Sequence, residues 1–115
     1  MTTDPNCVFC KIVAGEIKSD IVAQDERTVA FNDLAPAAPR HVLVVPRAHY
    51  ANAAEVSDAE DLHAMFRMAR QVAAAQGIEE SGYRMVLNTG PDAQQSVFHV
   101  HLHVLGGRQM TWPPG

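Results

Sequence analysis

Three histidines alternate with aliphatic residues near the end of the chain. The segment HVHLHV at 99–104 places His99, His101 and His103 at every second position. Alternate side chains of a β-strand share a face. We therefore expect the imidazoles to line one surface and the aliphatic residues between them to enter the core. Histidine changes its charge near neutral pH. This row of side chains is therefore suited to binding a negatively charged ligand or to transferring protons.

Two simpler interpretations compete with a catalytic one: solvated strand histidines, or a zinc site made by all three. The strict alternation, followed by two glycines, disfavours the first. The three side chains span about 13 Å of strand, too far to converge on one ion. A histidine becomes a nucleophile when another group fixes its tautomer and leaves Nε2 free. His101 is best placed for this role, and His103 could then donate a hydrogen bond to the leaving group or a phosphate oxygen.

Cys7 and Cys10 form a separate feature, with the two-residue spacing of a zinc knuckle. His49 and His99 could complete a Cys₂His₂ tetrahedron that ties the N-terminus to the histidine strand. The alternative is two free thiols packed near a short N-terminal helix. The wide separation of His49 from His99 excludes a DNA-binding finger.

The elements that position these residues can be predicted from the hydrophobic pattern. The pattern predicts a short helix over 7–14, a loop over 33–40 and a turn over 89–95. It also predicts five strands, over 21–25, 28–32, 41–46, 83–88 and 96–105. A long helix is predicted from a capping box, Ser57 with Glu60, to Gly77. Its apolar stripe comprises Leu62, Met65, Phe66, Ala69, Val72 and Ala73. These elements indicate an α+β fold with an antiparallel sheet and one main helix.

Length and charge set further bounds. The 115 residues favour a single domain over 1–115. A net charge of −4 argues against a nucleic-acid partner, which needs a basic face. The sequence contains no run of 18 apolar residues, so no membrane span is predicted. Residues 1–6 lack the apolar core of a signal peptide, and we therefore expect a cytoplasmic location.

The sequence resembles the histidine-triad (HIT) superfamily, and within it the Hint branch of nucleotide-binding proteins. Besides HVHLHV, the segments that carry the resemblance are CVFCKIVAGEI at 7–17, VAFNDLAP at 29–36, HVLVVPRAH at 41–49 and residues 82–115. The resemblance implies a homodimer whose antiparallel sheet continues across both subunits. It also implies that the tail, residues 108–115, reaches towards the partner's active site.

The resemblance further implies hydrolysis of purine nucleoside 5′-phosphoramidates, typically adenosine 5′-monophosphoramidate, with no cofactor required for catalysis. His101 would form a nucleotidyl-histidine intermediate, His103 would serve the leaving group, and His99 and His41 would support the nucleophile. The alternatives are a dinucleoside polyphosphate hydrolase or nucleotidyltransferase of the same superfamily, a nucleotide-binding regulatory protein without turnover, and a zinc-dependent interaction module.

Matching the family pattern assigns binding roles to further residues. The base slot would comprise Val8, Phe9, Ile12, Phe31 and Leu34; Asp33 would bind the ribose; Asn88, Gln95 and Ser96 would bind phosphate and bridging atoms; and Trp112 would influence the leaving-group side. Relatives with a structural zinc support the ligand set Cys7, Cys10, His49 and His99. The chain departs from the pattern at Asn32, and at Ala93 and Gln94, where the phosphate loop often has glycines.

Overall fold

The computed structural model describes residues 2–115 and contains one five-stranded sheet with every neighbouring pair antiparallel. The spatial order is β1-β2-β3-β5-β4. The strands are β1 Ile21–Gln24, β2 Thr28–Asn32, β3 Arg40–Pro46, β4 Tyr83–Leu87 and β5 Leu102–Gly106. The helices are α1 Val8–Val13 and α2 Ala59–Ala75, with 3₁₀ turns at Ala53–Glu55 and Pro91–Ala93. The predicted α+β fold, with one long and one short helix, is confirmed.

The two helices belong to separate apolar clusters. In the first, Met65, Met68 and Val72 of α2 pack with Val42 and Val104 of the central strands. In the second, α1 packs with β2 and β3 through Phe9, Ile12, Phe31, Leu43 and Val45. Because strand side chains alternate, α2 receives Val100, Leu102 and Val104, whereas the histidines between them lie towards α1.

The start of α2 corrects one prediction. Asp58, not Ser57, is the N-cap, and its carboxylate accepts a hydrogen bond from the Glu60 amide at 2.9 Å. Aspartate caps a helix as well as serine does, so the Ser57–Glu60 box was the wrong choice between adjacent candidates. The apolar stripe was also partly wrong, since Leu62 and Phe66 are 38% and 37% exposed. Met68 takes a buried place that the prediction had not given it.

The last strand is shorter than predicted, because residues 96–101 leave the ladder. Pro46, at the end of β3, has no amide hydrogen to donate, and its carbonyl accepts from the His99 side chain at 2.8 Å. The amide of Val100 donates instead to the Tyr50 carbonyl at 2.8 Å. The histidine segment therefore crosses from the 46–50 region into β5, and only His103 of the three lies within a paired strand.

Among residues 2–115, no helix has the length and apolarity needed to cross a membrane.

Candidate active site and metal cluster

His101 has the geometry expected of a histidine nucleophile. Its Nδ1 lies 2.8 Å from the carbonyl oxygen of His99, so Nδ1 carries the hydrogen and donates. Nε2 is then left with a lone pair. The ring is buried and packs edge-on against Phe9, with centroids 5.2 Å apart. A backbone carbonyl thus fixes the tautomer that leaves Nε2 available.

A second chain of hydrogen bonds fixes His103. The Ala37 amide donates to Nδ1 of His41 at 2.9 Å, and Nε2 of His41 lies 2.8 Å from Nδ1 of His103. An Asp33 carboxylate oxygen lies 3.4 Å from the same His41 Nε2. We call this series, Ala37 amide to His41 to His103, the amide–histidine chain.

Burial keeps both imidazoles of this chain neutral. Desolvation lowers the pKa of His103 to about 4, and the neighbouring His101 and His41 lower it further than Asp33 raises it. Desolvation also lowers the pKa of His41, against the opposing effect of Asp33. At neutral pH each ring therefore carries one proton, whose position the hydrogen-bond partners decide.

A cavity of about 340 Å³ lies beside His101 and His103. One side is apolar, and the other carries a carboxylate, a hydroxyl and the two imidazoles. The predicted residues that line it are Val8, Phe9, Ile12, Phe31, Asp33, Leu34, Ser96, His101 and His103. An apolar slot that ends in a few convergent polar groups is the usual form of a small-ligand site.

Sequence reasoning missed six lining residues: Ile17, Lys18, Ser19, Asn32, Leu43 and Val97. Leu43 could have been found from strand pairing. It lies opposite Phe31 on one side and His103 on the other. The loop residues Ile17, Lys18 and Ser19 offered no such signal, because their position depends on how the chain leaves α1.

Three predicted binding residues lie outside the cavity lining. Gln95 is buried, and its amide group is fully bonded to backbone: it accepts from the Gly90 amide and donates to the carbonyls of Ala51 and Val97. Gln95 thereby holds the loop that carries Ser96. Asn88 is half-buried just after β4, and Trp112 is 80% exposed, with the Arg84 guanidinium 5.9 Å from its ring centre.

The loop before Gln95 includes one departure from the family pattern. Gln94 has φ of 60°, in the left-handed region that favours glycine. A glycine at this position would adopt this conformation without steric cost. This chain adopts the same turn with a longer side chain, which is exposed.

Cys7, Cys10, His49 and His99 converge as predicted, and we call them the Cys₂His₂ cluster. Their four ligand atoms lie within 4.8 Å of one another. Nδ1 of His99 lies 3.4 Å from Cys7 Sγ, 3.5 Å from Cys10 Sγ and 3.2 Å from His49 Nδ1. Ligands of a tetrahedral zinc ion are separated by about 3.3–3.6 Å for nitrogen–nitrogen and nitrogen–sulfur pairs. The spacing therefore fits zinc.

The chemistry of the donors agrees with that fit. His99 donates from Nε2 to the Pro46 carbonyl, so its Nδ1 presents a lone pair to the cluster. Both sulfurs belong to free cysteines. Burial raises the pKa of the Cys10 thiol, and a bound cation would offset that rise by stabilising the thiolate. The cluster can bind a metal ion.

Asp33, His41 and His103 also approach one another closely enough for a metal site. Their hydrogen bonds argue against it. Because Nδ1 of His41 accepts from the Ala37 amide, the neutral ring must carry its proton on Nε2, the atom that would have to bind the ion.

Another cavity, of about 420 Å³, lies beside the N-terminus of α2. Three of its charged groups are already bonded to one another. Arg27 pairs with Asp58 and Asp61, and the Tyr50 hydroxyl donates to Asp61 at 2.6 Å, which helps to raise the Tyr50 pKa to about 12. These groups stabilise the start of the helix and leave little for a ligand.

Residues 14–110 match the HIT domain family. A maize protein named 14 kDa zinc-binding protein is 44% identical over 116 residues, which cover 97% of this chain and 90% of that protein. An Arabidopsis thaliana protein named Adenylylsulfatase HINT1 is 40% identical over 98% of this chain and 79% of its own length. A HIT family hydrolase from Legionella pneumophila superposes with a TM-score of 0.92 at 47% identity, covering 96% of this chain and all of that one.

Proposed function

This chain belongs to the HIT domain family, and from that premise we propose that it hydrolyses purine nucleoside 5′-phosphoramidates, with adenosine 5′-monophosphoramidate as the typical substrate. Similarity to a HIT family hydrolase supports hydrolysis as the reaction class. The observation that carries the proposal is the 2.8 Å bond from His101 Nδ1 to the His99 carbonyl, which leaves Nε2 as a nucleophile beside the cavity.

In the proposed reaction, His101 Nε2 attacks the α-phosphorus in line with the leaving group. The bond from phosphorus to His101 forms as the bond from phosphorus to nitrogen breaks, and the departing nitrogen takes up one proton, from His103 or from solvent, so that it leaves as the amine. Water then attacks phosphorus, releases the nucleoside monophosphate and restores His101. Hydrogen-bond donors at Ser96, Asn88, His103 and backbone amides would hold the charge on the phosphoryl oxygens.

The nucleotide would lie with its base between α1 and the sheet. Val8, Phe9, Ile12, Phe31 and Leu34 provide the apolar slot. Asp33 would accept from the ribose hydroxyls, although one of its carboxylate oxygens already accepts from the Ala35 amide at 2.8 Å. Gln95 would act on the phosphate loop through the backbone it holds.

We also propose that the Cys₂His₂ cluster binds a structural zinc ion. The maize relative's name and the tetrahedral spacing support this. Bound zinc would cross-link α1 to the histidine segment and would take no part in the reaction. Two free cysteines are what a reducing compartment favours, so the cytoplasm remains the proposed location.

A homodimer is proposed through β4, which is an edge strand with one unpaired side. Its Met85 is 38% exposed. Arg84, also on β4, donates to the Thr111 carbonyl and lies near the Trp112 ring, so the tail runs beside this edge. From there Trp112 would reach a partner's leaving-group side.

The second candidate function is hydrolysis of a different bond to an adenylyl group. The Arabidopsis relative is named for adenylyl sulfate cleavage, in which the same phosphorus would be attacked but the leaving group is an oxyanion. The cavity and His101 would serve either reaction. Relative rates on phosphoramidates, adenylyl sulfate and diadenosine polyphosphates would separate the candidates.

The test of the proposed function is His101→Asn, assayed on adenosine 5′-monophosphoramidate and related amides. Removing the nucleophile should lower kcat by about 10³-fold or more. Quenching with an alkaline denaturant during wild-type turnover should trap a nucleotidyl group on His101, because a phosphorus–nitrogen bond survives in alkali. The matched control is His63→Asn, which alters an exposed histidine of α2 and should keep full activity. Near-normal turnover by His101→Asn would reject the role of His101.

A further inference from the structure

Lys18 and Ser19 have no role in the proposed reaction, yet both line the cavity of about 340 Å³ beside His101, which we call the nucleotide cavity. They belong to the segment that joins α1 to β1. Lys18 is exposed, and no salt bridge within residues 2–115 involves its ammonium group. The described residues that line the cavity include no other lysine and no arginine. Lys18 therefore offers this cavity donors that no carboxylate occupies.

Strand pairing shows which end of the nucleotide cavity this segment occupies. His103 pairs with Leu43, and Leu43 pairs with Phe31, so Phe31 lies two strands away from His103. Two strand spacings correspond to about 10 Å. Phe31 pairs in turn with Ile21 of β1, on the side away from Leu43. The segment that precedes Ile21 therefore lies at the end of the cavity opposite the candidate catalytic histidines.

This order across the sheet orients a bound nucleotide. Its phosphorus must lie near His101 and its ribose near Asp33, so the base would extend along the apolar slot over Phe31. A purine is joined to the ribose through N9, and its six-membered ring lies farthest from the sugar. The C6 substituent of that ring would therefore face the segment with Lys18 and Ser19.

Guanine and adenine differ in hydrogen bonding at the C6 substituent. Guanine has a carbonyl oxygen there, beside the acceptor N7, whereas adenine has an amino group, which is a donor. A lysine ammonium group has three donors and no acceptor, so it matches the oxygen and opposes the amino group. A serine hydroxyl both donates and accepts, so Ser19 can bond either base. Discrimination between the two bases therefore depends on Lys18.

We propose that Lys18 is a specificity-determining residue that binds the C6 oxygen of the base and favours 6-oxopurine nucleotides, those of guanine and hypoxanthine, over adenine nucleotides. This inference rests on the proposed function and specifies its base. Adenosine phosphoramidates remain substrates, because the apolar slot and Asp33 do not distinguish the two purines. Lys18 sets the ratio between them.

The first test is calorimetric binding of guanosine, inosine and adenosine 5′-monophosphates to the purified protein. The bond from exposed Lys18 competes with water, so we expect the first two to bind about fivefold more tightly than the third. Inosine monophosphate has the C6 oxygen but lacks the 2-amino group of guanine, so its binding identifies the atom that is recognised. Equal binding of all three, or inosine monophosphate binding like adenosine monophosphate, would overturn the inference.

Substitutions test the residue itself in the same binding experiment. Lys18→Met keeps an aliphatic side chain but removes the donors, and it should abolish the preference, whereas Lys18→Arg retains donors and should preserve it. The matched control is Lys11→Met, because Lys11 is the other lysine of the chain and lies on α1 outside the cavity lining. A preference that survives Lys18→Met, or that is lost equally in Lys11→Met, would reject the role of Lys18.

The second test measures kcat/KM on guanosine and adenosine 5′-monophosphoramidates, which share one leaving group. The value for the guanosine compound should be about fivefold higher in the wild type, and Lys18→Met should remove the difference. Equal values in the wild type would contradict the inference. Failure of the proposed function looks different: the three monophosphates would bind in the expected order, but neither phosphoramidate would be hydrolysed.

Discussion

The two groups of histidines in this protein lie close together but are arranged in opposite ways. In the amide–histidine chain, each donor meets an acceptor from the Ala37 amide as far as Nδ1 of His103. In the Cys₂His₂ cluster, Nδ1 of His49 and Nδ1 of His99 lie 3.2 Å apart, and both cysteine sulfurs approach the same point. Lone pairs that converge need a cation between them, whereas a matched chain does not. The pattern of hydrogen bonds thus separates a candidate metal centre from a candidate catalytic group of the same residue type.

Metal removal should have the largest effect, because the Cys₂His₂ cluster should depend on an ion and the amide–histidine chain should not. We expect about one zinc per chain in protein purified without chelator. A strong chelator should lower the Tm by roughly 10 °C or more, since the ion cross-links α1 to the histidine segment. Elemental analysis and thermal unfolding measure the two effects.

The controls are two histidine variants. His49→Ala should lose both the zinc and the chelator effect, whereas His63→Ala, on the exposed side of α2, should keep both. Absence of stoichiometric zinc from the wild type, or an unchanged Tm after chelation, would show that the cluster is a pair of thiols beside two histidines.

Substitution of Gln95 tests how the cluster and the amide–histidine chain are held relative to each other. The Gln95 side chain bonds three backbone groups, those of Ala51, Gly90 and Val97, and so holds the start of the segment that carries His99 and His101. Gln95→Ala would leave these groups unpaired and should lower the free energy of unfolding by about 1–3 kcal/mol. Urea unfolding measures this. Gln94→Ala alters an exposed neighbouring amide and should change stability much less. Equal effects of the two variants would contradict the role assigned to Gln95.

Acidification should produce the smallest effect, and it tests the histidines of the amide–histidine chain. The His103 pKa is lowered to about 4 in the folded protein, and the His41 pKa is also lowered. Unfolded histidines bind protons below about 6.5. Between these values the unfolded state binds more protons, so stability must fall as the pH falls. From neutral pH to about pH 5 we expect the Tm of this chain to fall by several °C.

The comparison variant for the pH experiment is His103→Asn, which should show a weaker pH dependence of Tm, with zinc present throughout. A wild-type Tm that rises on acidification would mean that His103 gains a proton more readily when folded, which contradicts the neutral chain.

The sequence predicted the sheet and both helices well because each strand carried a period-two or fully apolar pattern. It predicted less well where two local solutions compete. Ser57 and Asp58 are adjacent residues that both suit a helix N-cap, and the local sequence does not show that Asp58 takes this position. The start of the last strand depended on a distant residue, since Pro46 offers its carbonyl to the His99 side chain and forms its ladder pair only with Thr28 of β2.

At the candidate site, the residues could be proposed from the alternating histidines and from the family pattern, but their protonation could not. That property depends on the Ala37 amide, a backbone group that no side-chain motif reveals. The loop residues Lys18 and Ser19 were missed for a related reason, because nothing in their local sequence shows that the chain turns back beside the cavity.

The short helix α1 has a consequence for how the molecule assembles. It has six residues, its N-cap is the sulfur of Cys7, and Val8, Phe9 and Ile12 form one wall of the nucleotide cavity. Helices below about 12 residues are marginal in water by themselves. This wall therefore depends for its stability on the sheet that receives Phe9 and Ile12. A substitution that weakens the packing of β2 and β3 against α1 should accordingly also disturb the cavity beside His101.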